Sequence, residues 1–418
     1  MLGYEFTVGL EKRYNQLKVL QVNVVCGVGS TGRITTDLHN AMLKEGYSSL
    51  IAYGRGEGKH CETTIKIGSE FAIYRHVVKT RIFDRHGFGS KTATENFVNE
   101  IDKLNPDIIH LHNIHGYYIN IEVLFQYLKR ANKPIIWTLH DCWSFTGHCA
   151  YFDYVECEKW KVECFACPEK KKYPRSLIFD NSTKNYQEKK KLFSGVKNMT
   201  IITPSRWLAD LTKQSFLGEY PIHVISNGID TAVFSPMSGD FREKYNLVDK
   251  FIILGVASVW EQRKGLNYFI ELSQELKKDE VIVLVGVNEK QIKNLSGNII
   301  GITRTNNIKE LVCIYSTSDV FVNPTLEDTY SMTNLEALSC GTPVVSFSSG
   351  GSAEMLSGKR GFVAKSKDMY GILQGIQEIR LGYEKGLYRE TRNDIREFSL
   401  ERMSQNYIEV YKVAQSKG

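Results

Sequence analysis

The chain has 418 residues, 42% of them hydrophobic and 24% charged, with a formal charge of +6; that is the make-up of a globular protein long enough for two cores. The charge is too mild for a nucleic-acid binder of this length, and no base-stacking or phosphate-tracking pattern accompanies it. No apolar run approaches the ~20 residues of a membrane helix, and the opening MLGYEFTVGLEKRYNQ has neither the basic start nor the apolar stretch of a secretory signal, so a cytoplasmic protein is expected.

Residues 1–16 read as an extension with no assigned role. KVLQVNVV (18–25) then has strand composition, GVGSTGR (27–33) is a Gly-rich turn opening a helix through Leu43, and SSLIAY, DIIHLH and PIIWTLH continue the strand series. A second series runs FIILGVAS, VIVLVG, NIIGI, DVFVNP and PVVSF. Short apolar strands alternating with helices predict parallel sheets covered on both faces, hence two doubly wound α/β domains. SPMSGD (235–240) has linker composition, so the expected division is 1–236, 237–398 and a last segment 399–418 carrying an amphipathic helix near Ser399 to Ala414.

Several strand ends carry chemistry, and open parallel sheets bind ligands at those ends. The 27–33 turn has the wrong glycine spacing for a dinucleotide fingerprint, and no ribose-binding acid follows the second strand, where YGRGEGK stands. HLHNIHGYY (110–118) ends a strand with three histidines: His110 and His112 read as packed, and His115 as aimed at a ligand. TLHDCWSFTG (138–147) places His140 and Asp141 at another strand end, and in SVWEQRKGL (258–266) Arg263 and Lys264 precede Gly265. NGID (227–230) and PSRW (204–207) read equally as plain turns.

The densest signal is NPTLEDTYSMTNLEALSCGTPVVSFSSGGSAE, residues 323–354. Thr333 and Glu336 have capping-box spacing, so a helix is expected to open near Thr333 with unpaired amides and a positive dipole end that favour anions. Gly341 suits the left-handed stop and Pro343 forbids continuation.

EDTYSMTNLEALSCGTPVV (327–345) resembles the donor-binding signature of the family 4 glycosyltransferases, retaining enzymes of GT-B architecture: two Rossmann-like doubly wound domains facing a central cleft. The resemblance implies that acids eight positions apart hold the donor, which selects Asp328 for the sugar and Glu336 for the ribose, with Glu327, one residue out of register, as the alternative acid at the sugar. It assigns the amides of Tyr330, Ser331, Met332 and Thr333 to sugar and phosphate. Lys264 and Arg263 fall to the diphosphate, Thr303 and Arg304 to the base, and His140 to the donor hexose. Gly29, Ser30, Thr31 and Arg33 would form a loop facing the cleft, with His115 on the acceptor side. It further implies that the last helix returns to the first domain.

No Asp-x-Asp motif is present to hold a catalytic divalent metal, so none is expected for chemistry. The donor is expected to be a UDP- or GDP-sugar, and the acceptor a glycan, in the most similar members a lipid-linked one in bacterial capsule or exopolysaccharide assembly. A non-catalytic partner subunit and a sugar-nucleotide epimerase are the alternatives.

Cys149, Cys157, Cys164 and Cys167, with seven, six and two residues between them, lie within a Cys-rich insert, 142–168, and are candidate ligands of a structural zinc; buried free thiols are the other reading. Lys170–Lys172, Lys189–Lys191 and the series Arg75, Lys79, Arg81 and Arg85 are basic clusters, read as solvated faces or as a peripheral contact with anionic lipid.

Overall fold

In a computed structural model the described residues are 17–356, 360–387 and 391–417; the predicted extension 1–16 lies outside them. The chain divides into two compact units. Among described residues the first comprises 17–204, 208–225 and 403–417, and the second 205–207 and 226–402. The division falls at Ile225/Ser226, eleven residues before the Pro236 boundary expected from linker composition, because NGID belongs to the second unit: Ile229 exchanges backbone hydrogen bonds with Phe398 and Leu400, at 2.8 and 3.1 Å.

The first unit holds a seven-stranded sheet: β1 (Lys18–Asn23), β2 (Ser48–Tyr53), β3 (Thr64–Lys66), β4 (Ile108–Leu111), β5 (Ile135–Thr138), β6 (Met199–Thr203) and β7 (Ile222–Val224). Their order is β3-β2-β1-β4-β5-β6-β7, and every pairing is parallel. The second unit holds β8 (Phe251–Val256), β9 (Glu280–Val285), β10 (Ile299–Ile302), β11 (Val320–Asn323), β12 (Val344–Phe347) and β13 (Gly361–Ala364), in the order β10-β9-β8-β11-β12-β13, again all parallel.

Runs such as IIHL, IIWT, VIVL and VVSF are buried along their length, as strands sandwiched between helix layers must be. In each sheet the chain winds outward both ways from the first strand, so β1/β4 and β8/β11 are switch points. There the loops at the carboxyl ends diverge and leave room for a ligand. The last helix, Leu400–Lys417, brings Tyr407 and Tyr411 into the first unit, where their hydroxyls meet Thr138 Oγ1 at 3.2 Å and His110 Nδ1 at 2.7 Å.

Candidate functional site

At the β8/β11 switch point the chain leaving β8 reaches a single turn, Gln262–Lys264, closed by Gly265 at φ +76°. A Cβ at Gly265 would stand 2.4 Å from the Pro324 carbonyl, so only glycine lets this turn press against the loop leaving β11. The two loops are then stitched: the Arg263 carbonyl accepts from Leu326 N at 2.8 Å and from the Thr325 hydroxyl at 3.3 Å, and Arg263 Nη1 donates to the Glu327 carbonyl at 3.4 Å. Across this seam Lys264 Nζ meets Asp328 Oδ2 at 2.8 Å, with side chains 22% and 15% exposed. The second Gly-rich loop closes on the same residue, since Gly351 N donates to the Asp328 carbonyl at 3.2 Å. Gly350, at φ +55°, leaves no room there for a Cβ. Glu327 is buried beside it, and Thr303 and Arg304 are exposed just past β10.

The helix after this loop is Met332–Ser339, capped by Ser331, whose hydroxyl accepts from Asn334 N at 3.4 Å. The expected Thr333/Glu336 capping box is therefore not formed. Asn323, the last residue of β11, donates from Nδ2 to Ser331 Oγ (2.9 Å) and to Asn334 Oδ1 (2.7 Å), which selects Ser331 as the cap and leaves Thr333 inside the first turn. Gly341 does take the left-handed stop, at φ +85°. Glu336, freed from capping, is 4% exposed and accepts the Tyr315 hydroxyl at 3.0 Å. Sequence reading missed both partners: Tyr315 lies on another helix with no local signal, whereas an asparagine ending the apolar run VFVN was a visible clue.

In the first unit the strand-end histidines form a relay. Gln21 Nε2 donates to Ser49 Oγ at 3.2 Å, so its Oε1 faces His112 Nε2, also at 3.2 Å, and that nitrogen must carry the proton. His112 Nδ1 then accepts from His140 Nε2 at 3.1 Å. Burial drives both imidazoles neutral, His112 well below its ordinary value and His140 down to about 4. His112 is thus packed, as expected, but it also fixes the tautomer and plane of His140.

His115, only 7% exposed, pairs with Asp141 Oδ2 at 2.8 Å and with the Tyr173 hydroxyl at 3.0 Å. Burial raises the Asp141 pKa, but the adjoining His115 and the Trp143 amide outweigh it and hold the carboxyl below its usual value. His115, His140 and Asp141 line one small cavity with Trp143 and Ser144. At the end of β1, Gly29 starts the helix Gly29–Lys44 without a side-chain cap; Ser30 and Arg33 are exposed and Thr31 half-buried.

Cys149, Cys157, Cys164 and Cys167 line another small cavity with His148 and Trp160. Gly147 N donates to Cys164 Sγ at 3.2 Å, and the Cys149 and Cys167 thiols are hydrogen-bonded. Among the described residues no group of three or more His, Cys, Asp or Glu side chains is arranged to hold a metal ion. The solvated reading of Lys189–Lys191 fails at Lys189, which is 1% exposed and donates to the Trp143 and Thr146 carbonyls at 2.7 and 3.0 Å, its Nζ 3.4 Å from the Trp143 ring centre. Burial brings its pKa down to about 7.

Residues 31–233 match the model described as "Glycosyltransferase Family 4", and residues 250–380 match "Glycosyl transferases group 1". A putative colanic acid biosynthesis glycosyl transferase of Escherichia coli is 26% identical over 86% of this chain and 90% of its own. A UDP-Gal:α-D-GlcNAc-diphosphoundecaprenol α-1,3-galactosyltransferase, also of Escherichia coli, is 27% identical over 40% of this chain and 47% of its own. Among solved structures, sucrose-phosphate synthase of Thermosynechococcus elongatus superposes with TM-score 0.70 at 16% identity, covering 96% of this chain and all of the other. HepE of Anabaena, in complex with UDP-glucose, gives 0.65 at 14% identity over 95% and 100%. With both units matched and most of the chain spanned, the protein belongs to the family 4/group 1 glycosyltransferases of GT-B fold and is a hexosyltransferase.

Proposed function

We propose that this enzyme transfers a hexose or N-acetylhexosamine from a UDP- or GDP-sugar to a glycan hydroxyl with retention of configuration, in the assembly of a bacterial surface polysaccharide. The observation that carries this reading is the Lys264–Asp328 pair at the β8/β11 switch point, one loop before the amides that open the helix Met332–Ser339. A cation and unpaired helix amides favour a diphosphate, and an acid beside them suits sugar hydroxyls.

In this reading Lys264, with Arg263, leaves Asp328 to bind the diphosphate, freeing that carboxylate for the sugar. Glu336, hydrogen-bonded by Tyr315, takes the ribose hydroxyls, and Tyr330 to Thr333 supply amides, that of Tyr330 by leaving Asp328 Oδ1 at 3.4 Å. Thr303 and Arg304 border the base. Neutral His140 is assigned to the hexose, and His115 with Asp141 to the acceptor. The leaving phosphate assists deprotonation of the attacking hydroxyl, so no separate protein base is required. The similarity to a colanic acid biosynthesis transferase and to a diphosphoundecaprenol-dependent galactosyltransferase supports a surface-glycan acceptor on a lipid diphosphate.

Incubation with a panel of nucleotide sugars, with and without a polyprenyl-diphosphate-linked acceptor in chelator-treated buffer, tests the reading. Transfer with retained anomeric configuration supports it. Epimerised donor, binding without turnover, or strict dependence on added divalent metal each contradicts it.

A further inference from the structure

The helix Glu70–Phe83 packs Ile73, His76 and Thr80 inward, as an ordinary surface helix does with one face. Its outer face is also apolar, with Phe71 68% exposed, Tyr74 65% and Val78 37%, and the last residue of the helix, Phe83, is 48% exposed. A second exposed run lies beside the end of this helix, with Leu177 at 57%, Ile178 at 58% and Phe179 at 52%. The two are tied by backbone: Leu177 N donates to the Arg81 carbonyl at 2.7 Å and Phe179 N to the Ile82 carbonyl at 3.1 Å. The Phe83 and Phe179 rings stack at 5.9 Å with planes 8° apart. Single exposed apolar residues are commonplace, but seven gathered on one helix face, the end of that helix and one adjoining loop mark an interaction surface.

The charges around this surface are mostly basic. Neither 71–83 nor 170–179 contains an aspartate or glutamate, while Arg75, Lys79, Lys171, Lys172 and Arg175 are exposed. Of the acids that flank these segments, Asp84 is buried against His148, Glu70 is exposed and pairs with Lys66 at 3.0 Å, and Asp180 is exposed and accepts from the Cys167 and Ser182 amides at 2.8 and 2.9 Å. A groove of about 370 Å³ runs along the helix, lined by Phe71, Arg75, Lys79, Phe88, Ser90 and Lys91 among others, with three cations and no carboxylate. Aromatic and branched apolar side chains within a predominantly basic rim suit an anionic bilayer: rings and aliphatic tips enter the acyl boundary while lysine and arginine heads stay at the phosphates.

We propose that the outer face of the helix Glu70–Phe83, together with residues 170–179, seats this enzyme on an anionic lipid bilayer. The same loop carries Tyr173, whose hydroxyl holds His115 Nδ1 at 3.0 Å, so the docking surface and the acceptor-side histidine share one segment. Delivery of a lipid-linked acceptor as the purpose of docking rests on the reading given above; docking itself does not.

The test is co-sedimentation of the full chain with vesicles of phosphatidylcholine alone or with about one-third phosphatidylglycerol. Partitioning onto the anionic vesicles should be at least ~10-fold stronger and should weaken with added salt, because exposed charges are screened. F71S/I178S/F179S should lower partitioning at least ~10-fold, and K171E/K172E/R175E should abolish the preference for anionic lipid. Both variants alter exposed side chains, so melting temperature and transfer to a soluble acceptor should stay at the unmodified values while transfer to a vesicle-borne acceptor falls. Absence of partitioning, indifference to the serine variant, or a serine-sensitive dimer with no vesicle binding overturns the proposal. Vesicle binding by a chain that transfers no sugar leaves docking standing and refutes the transferase reading alone.

Discussion

Replacement of Lys264 by methionine separates its proposed chemical role from its structural one. In the folded protein its ammonium lies 2.8 Å from Asp328 Oδ2, and with exposures of 22% and 15% the pair is mostly withdrawn from water. Removing one partner leaves a half-buried carboxylate, at a cost of about 1–2 kcal/mol after discounting for residual solvent. For a unit of this size that lowers the melting temperature by roughly 2–8 °C. Removing both charges in K264M/D328N should restore most of that stability, because no unpaired ion remains.

Catalysis should respond differently. A charge-assisted contact to a departing diphosphate contributes roughly 3–4 kcal/mol in the transition state, or about 100–1000-fold in kcat/KM for the donor. Both single and double variants should show that loss, although only the single one is destabilised. The assay is initial-rate transfer from the best donor, alongside thermal unfolding of each variant. Transfer by K264M within about threefold of the parent refutes the diphosphate assignment. Recovery of transfer together with stability in the double variant refutes it equally, since Lys264 would then act only by neutralising Asp328.

Buried neutral imidazoles should make the protein acid-sensitive. His140 is held down to about 4, and His110 and His76 to about 3, against an ordinary value of 6.5. The unfolded chain therefore takes up protons between pH 6.5 and those lower values while the folded chain does not. Stability is fully present above pH 6.5 and falls towards pH 4, with His140 alone contributing up to roughly 3 kcal/mol. A melting temperature constant from pH 7 to pH 4.5 would contradict this. The zinc reading of Cys149, Cys157, Cys164 and Cys167 predicts one zinc per chain by elemental analysis in reducing buffer, and a lower melting temperature after chelation. Metal-free protein with four freely titrating thiols in that cluster disproves it.

Local chemistry made the sheets readable. Runs such as VIVL, IIWT and VVSF admit little besides a strand buried on both faces, and their alternation with helices leaves parallel winding as the economical arrangement. The 323–354 segment was equally legible as strand, loop, helix and strand, because glycine and proline punctuate it by steric necessity. The donor-side candidates followed from that order, since ends of parallel strands are where loops gather.

Which side chains hold one another was decided by packing between segments distant in sequence. Capping-box spacing named Thr333, yet Asn323 at the end of β11 draws the cap to Ser331, and Tyr315 from a different helix claims Glu336. A lysine run that composition alone would place in water contributes Lys189 to the interior, where two carbonyls and the Trp143 ring receive its ammonium. The tautomer of His140 depends on Gln21 and Ser49, contributed by strands β1 and β2. Spacing rules describe what a residue can do with its neighbours in the chain. A buried polar group is satisfied by whichever partner the fold brings within about 3 Å, and that choice exists only once the sheets have formed.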